Sequence, residues 1–281
     1  MHLPHSYARH AVWLFAAALA GCAAPAAKTS MPTAAGGSSN TAAAKPAKGY
    51  LADPTALHMA EVLPAAPKAG SARYEADRQV FRETRKLEGT PRWALATSDV
   101  NLEVPDMLRD FSCAMGVTMD PARLPRLAAL LKRVDEDGVR ITDPAKKANQ
   151  RQRPFLIDEG AVCQSKDRLR RSFDYPSGHS TWGWTVGLIL TELAPDRAND
   201  VLLRARSFAD SRVVCGAHNL SAIQAGQING SAIVARLHAE PAFQADMAAA
   251  REELAALRAA GTPVDGGQCA AEHALIEQAP Y

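Results

Sequence analysis

Three short segments of the 281-residue chain concentrate the groups that phosphate chemistry needs. Lys146-Lys147-Ala148-Asn149-Gln150-Arg151-Gln152-Arg153-Pro154 sets two cations, Lys146 and Arg153, seven residues apart. Pro176-Ser177-Gly178-His179 places a histidine behind a serine and a glycine, and Ser211-Arg212-Val213-Val214-Cys215-Gly216-Ala217-His218 places an arginine six residues before a second histidine. Phosphoryl transfer asks the protein for a nucleophile, an acid, and cations and donors arranged around the equatorial oxygens. If the first segment is helical, Lys146 and Arg153 lie two turns apart and point into one site, with Pro154 ending the helix. The second segment precedes an apolar helical run, so its amides sit at a helix N-terminus, a natural anion site, with Ser177 as cap and Gly178 allowing close approach. Arg212 offers a two-pronged donor for phosphate oxygens that a lysine would not reproduce. Alone, the cation pair reads as surface charge and a histidine ahead of an apolar helix reads as a core residue. Together the three segments describe a phosphate-ester site.

The elements that must position these segments read as helices. Tyr74 to Leu87 is charged and amphipathic, and Pro121 to Val134 repeats Leu124, Leu127, Leu130, Leu131 and Val134 at intervals of three and four. Ser177 to Leu193, Asp196 to Val213, Leu220 to Leu237 and Pro241 to Leu257 add four more helical candidates, whereas alternating strand patterns are scarce. The expected architecture is all-α, a single helical-bundle domain over residues 51–258, with the helices near Ser177 and Leu220 crossing the core. Residues 259–281 read as a loop-like C-terminal tail that Cys269 pins down.

In order and spacing the three segments resemble the signature of the phosphatidic acid phosphatase type 2 superfamily: Lys, six residues, Arg-Pro; Pro-Ser-Gly-His; Ser-Arg, five residues, His, three residues, Asp. The likeness is narrower still, since Tyr175-Pro176-Ser177-Gly178-His179-Ser180, the segment from Ser211 to His218 and Glu240-Pro241-Ala242-Phe243-Gln244 look like class A bacterial non-specific acid phosphatases. It covers roughly residues 70 to 255. The resemblance implies a helical domain of the acid phosphatase and vanadium haloperoxidase type that hydrolyses phosphomonoesters without metal or cofactor. By resemblance His218 is the nucleophile that forms a phosphohistidine, His179 is the general acid for the leaving alkoxide, and Lys146, Arg153, Ser177, Gly178 and Arg212 bind the substrate phosphate. His2, His5, His10, His58, His238 and His273 fall outside these blocks. The chain has no HExxH segment or carboxylate cluster with ligand spacing, so no metal site is expected.

One position departs from the pattern. Ala222 stands where the signature has an aspartate, and Gln224 stands where the family has a second acid. A carboxylate four residues past a nucleophilic histidine holds the ring N–H, fixing the tautomer and stabilising developing charge. By loose analogy with serine hydrolases, its loss costs up to about 10⁴-fold in rate while binding persists. Three outcomes follow: a slow phosphatase; one in which Ser221, a backbone carbonyl or a carboxylate from elsewhere holds His218; or a lipoprotein that binds phosphorylated ligands or an envelope partner without useful turnover. Retained but weakened hydrolysis is the expectation, since the phosphate ligands and both histidines are present.

Residues 1–21 read as an export signal with Arg9 in its charged region and an apolar run from Ala11 to Ala20, too short for a comfortable membrane span. Leu19-Ala20-Gly21-Cys22 resembles a lipobox that would lipidate Cys22, and Ala23 favours the outer membrane; a plain cleaved signal or a buried helix is the alternative. Residues 22–50, rich in Ala, Pro and Ser, read as a flexible tether. The expected location is the periplasmic side of the outer membrane, with membrane contact only through the lipid. In an oxidising compartment Cys113, Cys163, Cys215 and Cys269 form two disulfides, from three connectivities. Cys163 with Cys215 is preferred, because both lie beside blocks that must meet in space, which leaves Cys113 with Cys269. Net charge is only +2, but residues 146–171 hold eight basic groups against three acidic ones. Without interleaved aromatics or a DNA-binding motif this cluster points to small phosphomonoester substrates rather than nucleic acid. A homodimer is left open.

Overall fold

Caps and N-terminal prolines, acting on apolar stripes, set the helices of the protein. The computed structural model describes residues 49–281, so the signal, Cys22 and residues 22–48 of the expected tether lie outside the described residues. After a single turn, α1 (Met59–Val62), Ser71 caps α2 (Ala72–Thr84) by accepting from the Tyr74 amide, and Thr90 caps α3 (Pro91–Ser98) through the Trp93 amide. Proline in the first turn opens both α4 (Val104–Met115) and α5 (Pro125–Asn149). A short α6 (Lys166–Leu169) precedes α7 (Gly178–Leu193), which Ser177 caps by accepting from the Ser180 amide at 3.2 Å. There follow α8 (Ala198–Val214), α9 (Leu220–Leu237), α10 (Pro241–Ala259) and α11 (Gly266–Ile276). All regular structure among the described residues is helical, as the sequence predicts.

Helix α7 runs through the centre, buried on most sides through Trp182, Val186, Ile189, Leu190 and Leu193, and packs between α8 and α9. Helix α5 closes one side against α10, its Leu127, Leu130, Leu131 and Val134 meeting the buried Phe243, Met247, Leu254 and Leu257. Two glycines let α9 approach α7 closely. A Cβ on Gly226 would lie 2.7 Å from the Ser177 carbonyl oxygen, and one on Gly230 would lie 2.8 Å from that of Thr181. This contact seats the N-terminal half of α7 against α9.

The structure corrects three expectations. The helix expected from Pro121 to Val134 runs from Pro125 to Asn149, because the buried stripe resumes at Ile141, Thr142, Ala145 and Lys146 after a polar interval. In that interval Asp137 is itself buried, accepting from the Tyr50 amide at 2.6 Å. That bond, with the Tyr50 hydroxyl donating to Asp246 at 2.7 Å, draws Gly49 and Tyr50 into the folded part, ahead of the expected boundary at residue 51. Residues 259–281 are not loop-like. Asp265 caps α11 by accepting from the Gln268 amide, Cys269 pairs with Cys113 of α4, and Tyr281 donates to Asp210 at 2.8 Å. The small residues of α11 give little apolar periodicity, so the sequence hides it. Helices α3 and α4 also escape the sequence reading, the first because it is only eight residues long. No helix among the described residues is long and apolar enough to cross a membrane.

Gly226→Ala is expected to force α9 from α7 and cost about 1–3 kcal/mol of stability, the range for overpacking a close-packed contact. Gly266→Ala meets open space. A thermal melt in which Gly226→Ala matches wild type would show that the close approach is not needed.

Candidate active site

The histidines and cations of the three blocks converge near the N-terminal end of α7, each by a different local device. Lys146 lies in the last turn of α5, buried, with Nζ donating to the Phe173 carbonyl at 2.9 Å. The helix then stops: Gln150 adopts a left-handed backbone (φ 47°), so Arg151 to Arg153 are not helical and Pro154 begins a separate 3-10 turn. The condition that the segment is one helix is therefore not met. Lys146 and Arg153 converge because the chain reverses, and Arg153 is anchored by donating from Nε to Ser172 O at 2.8 Å and from Nη1 to Ala217 O at 2.8 Å. Ser177 caps α7, Gly178 is its first residue and His179 the next. Arg212 lies in the last turn of α8, wholly buried, and His218 sits in the turn to α9. That turn depends on Gly216 at φ 76°, after which the amides of Ala217 and His218 both donate to the Arg212 carbonyl.

Both expected disulfides form. Cys163–Cys215 fastens the 157–165 loop to the α8–α9 turn, helped by the Cys163 amide donating to Cys215 O at 3.0 Å, and so brings Gln164 onto Arg212 Nη2. Arg212 Nε and Nη1 are buried with no protein acceptor. Lys146, Arg153, His179, Gln164 and His218 line one cavity of about 310 Å³ whose remaining wall includes Leu102, Val134, Val139, Leu169 and Trp182.

The imidazole tautomers follow from their partners. Arg153 Nη1 can only donate, and it lies 3.0 Å from His218 Nε2, so that nitrogen carries a lone pair. The proton is then on Nδ1, which donates to the Asp174 carbonyl at 2.8 Å and to Asp174 Oδ1 at 3.0 Å. His179 Nε2 donates to the Val100 carbonyl at 3.0 Å, leaving Nδ1 as the nitrogen whose proton comes and goes. Burial, and then the neighbouring cations, hold both rings well below the ordinary imidazole range. Arg212 acts most on His179 and Arg153 most on His218. Burial and Arg153 lower Lys146 to about 7. Arg153 and Arg212 are also depressed, mainly by burial. Three crowded, desolvated cations favour an anion among them.

Sequence reasoning missed Asp174, which faces the His218 ring. Of the three outcomes foreseen for Ala222, the geometry is that of a carboxylate brought from elsewhere. Asp174 is fully buried, accepting from the Asn219 amide at 3.2 Å and from Asn219 Nδ2 at 2.9 Å, with Arg151 Nε 3.7 Å away. Burial pushes its carboxyl up, against the opposing pulls of Arg151 and Asn219. The one available signal was its place two residues before Pro176. Arg151, inside the first block, was also missed as a structural cation. It donates to Asp77 at 2.6 Å and to Ser221 Oγ at 2.5 Å, joining α2 to α9 beneath the site.

Comparison with known proteins bears on the family. Residues 138–242 match the PAP2 superfamily. An acid phosphatase of Zymomonas mobilis is 45% identical over 202 residues, covering 71% of this chain and 76% of its own. Non-specific acid phosphatases of Salmonella typhimurium (36% over 195 residues, 68% of this chain and 78% of theirs) and Providencia stuartii (34% over 222 residues, 78% and 90%) are also similar. On its three motifs, its helical fold and relatives of this similarity, the chain belongs to the non-specific acid phosphatases of the PAP2 superfamily.

Proposed function

We propose that the protein hydrolyses small phosphomonoesters through a phosphohistidine on His218, with His179 as general acid. The observation that carries this reading is the His218 Nε2 lone pair, its tautomer fixed by Arg153, in a cavity lined by Lys146 and Arg153, with the Arg212 charge acting on the same ring and Arg212 joined to the lining residue Gln164. In the first step Arg153 Nη1 passes from Nε2 to a phosphate oxygen, the freed Nε2 bonds to phosphorus, the ester P–O bond breaks, and the leaving alkoxide takes a proton from His179. In the second, water attacks phosphorus, His179 takes the water proton, and the P–N bond breaks to release phosphate. Lys146, Arg153 and Arg212, with the backbone at Ser177 and Gly178, neutralise the equatorial oxygens throughout. The apolar wall of Leu102, Val134 and Trp182 would receive an aromatic or aliphatic leaving group.

The pH dependence follows from the depressed imidazoles. His179 gains the proton it must donate only as pH falls below its ordinary range, so hydrolysis of p-nitrophenyl phosphate is expected to rise from neutral toward acid pH. Protonation of His218, which removes the nucleophile, then ends the rise, and the two limbs belong to the coupled pair rather than to either ring. His218→Ala is expected to lose on the order of 10⁴-fold or more in kcat. Nitrophenol release that survives this change would sink the reading.

Lys146 gives a separate test of the cradle. In the free site it is protonated below about 7 and neutral above, whereas a bound dianion favours the protonated form. Affinity for tungstate, a dianion above neutrality, is therefore expected to fall as pH rises past 7, approaching about tenfold per pH unit for one proton taken up. Lys146→Arg, which keeps its charge, is expected to flatten that slope in calorimetric titrations; an unchanged slope would remove Lys146 from the cradle. For localisation, the lipobox-like Leu19-Ala20-Gly21-Cys22 supports anchoring at the periplasmic face of the outer membrane. Cys22→Ser is expected to release the protein from the membrane fraction, and retention of that variant would count against the anchor.

A further inference from the structure

The Nδ1 proton of His218 has two acceptors, and both belong to Asp174, a residue 44 positions away in the chain. We propose that Asp174 is the positioning carboxylate of His218, supplying from the segment ahead of α7 what an aspartate at position 222 would otherwise supply from α9. This rests on the reading of His218 as the nucleophile. The carboxylate is held in place rather than free to swing. Its Oδ2 accepts from Asn219 Nδ2 at 2.9 Å, its Oδ1 accepts from the Asn219 amide at 3.2 Å, and its own amide donates to the Arg151 carbonyl at 2.9 Å. It is therefore placed before any substrate arrives, as an orienting group must be.

The competing groups are occupied. Ser221 Oγ donates to Asp77 Oδ2 at 2.5 Å and accepts from Arg151 Nη1 at 2.5 Å, so neither Ser221 nor Asp77 is turned toward the imidazole. Gln224 is exposed. Ala222 is fully buried in the first turn of α9, where its carbonyl accepts from the Ser177 amide at 3.0 Å. A carboxylate at 222 would place a second buried negative charge beside an imidazole that already has one. An alanine at 222 avoids that second charge. As positive charge develops on His218 during attack, Asp174 Oδ1 strengthens its bond to Nδ1–H, while the Asp174 main-chain carbonyl fixes the ring plane.

The test uses the full chain with p-nitrophenyl phosphate turnover, tungstate affinity and thermal melts on Asp174→Asn, Asp174→Ala, Ala222→Asp, Asp174→Ala/Ala222→Asp and His218→Ala. Asp174→Asn keeps the main-chain acceptor and the shape but removes the charge. It is expected to lose on the order of 10²–10⁴-fold in kcat, with KM and tungstate affinity within about threefold of wild type. Ala222→Asp alone is expected not to raise kcat, and in the Asp174→Ala background to restore at least about tenfold of the loss. Asp174→Asn turning over within about threefold of wild type would overturn the proposal, as would a loss mirrored by an equal loss of tungstate binding. If the Asp174 variants do not fold, Ala222→Asp decides: a rise in kcat of about tenfold or more would show that the position behind His218 was empty. An active His218→Ala undoes the nucleophile reading itself, whereas an inactive one beside a fully active Asp174→Asn undoes only the role of Asp174.

Discussion

Burying three cations within reach of one another is the constraint around which this protein is built. Lys146, Arg153 and Arg212 are each almost entirely removed from water, and each would prefer to be elsewhere without an anion between them. The fold holds them there through neutral acceptors: the Phe173 carbonyl on Lys146, those of Ser172 and Ala217 on Arg153, and the Gln164 side-chain oxygen on Arg212. Neutral carbonyl partners secure the position of a cation without cancelling its charge. The cradle therefore keeps its charge available to a phosphate while remaining rigid, as preorganised electrostatic stabilisation requires.

The carboxylates beneath the site are treated in the opposite way. Asp77 is paired with Arg151, and Asp99 with Arg204 and with Ser211 Oγ, the latter at 2.5 Å. These pairs tie α2 to α9 and the end of α3 to α8, away from the cations of the cavity. Ser211, the first residue of the third block, belongs to this second set of contacts: its hydroxyl also accepts from Arg92 at 3.0 Å and takes no part in the cradle. Asp174 stands between the two sets. It meets Arg151 on one side and His218 on the other, so the ring is linked through one carboxylate to the network that supports the helices.

Much of this was legible because the chemistry sits in short, contiguous blocks. Pro176 to His179 places a capping serine, a small first residue and a histidine on one helix start, and no long-range contact is needed to see that arrangement. The long helices could be read from apolar spacing, and the disulfides from which blocks had to meet. Lys146 and Arg153 line one cavity, but by a chain reversal at the left-handed Gln150 rather than by the spacing of a continuous helix. The tail was misread because α11 is held by a cap, a disulfide and two carbonyls that accept from Arg206 rather than by a wide apolar face.

The sequence by itself determined which groups could hold a phosphate, because helix starts, charge types and histidines are local properties. It also determined that the domain is helical. Only the tertiary structure decided what stands behind His218. Position 222 is four residues away and holds an alanine; position 174 is 44 residues away and holds the carboxylate. A hydrogen bond needs a distance of about 3 Å and imposes nothing on sequence separation. Once the 157–165 loop is fastened to the α8–α9 turn and the chain runs back beside it into α7, Asp174 meets Nδ1 from a direction that no spacing along the chain could have indicated.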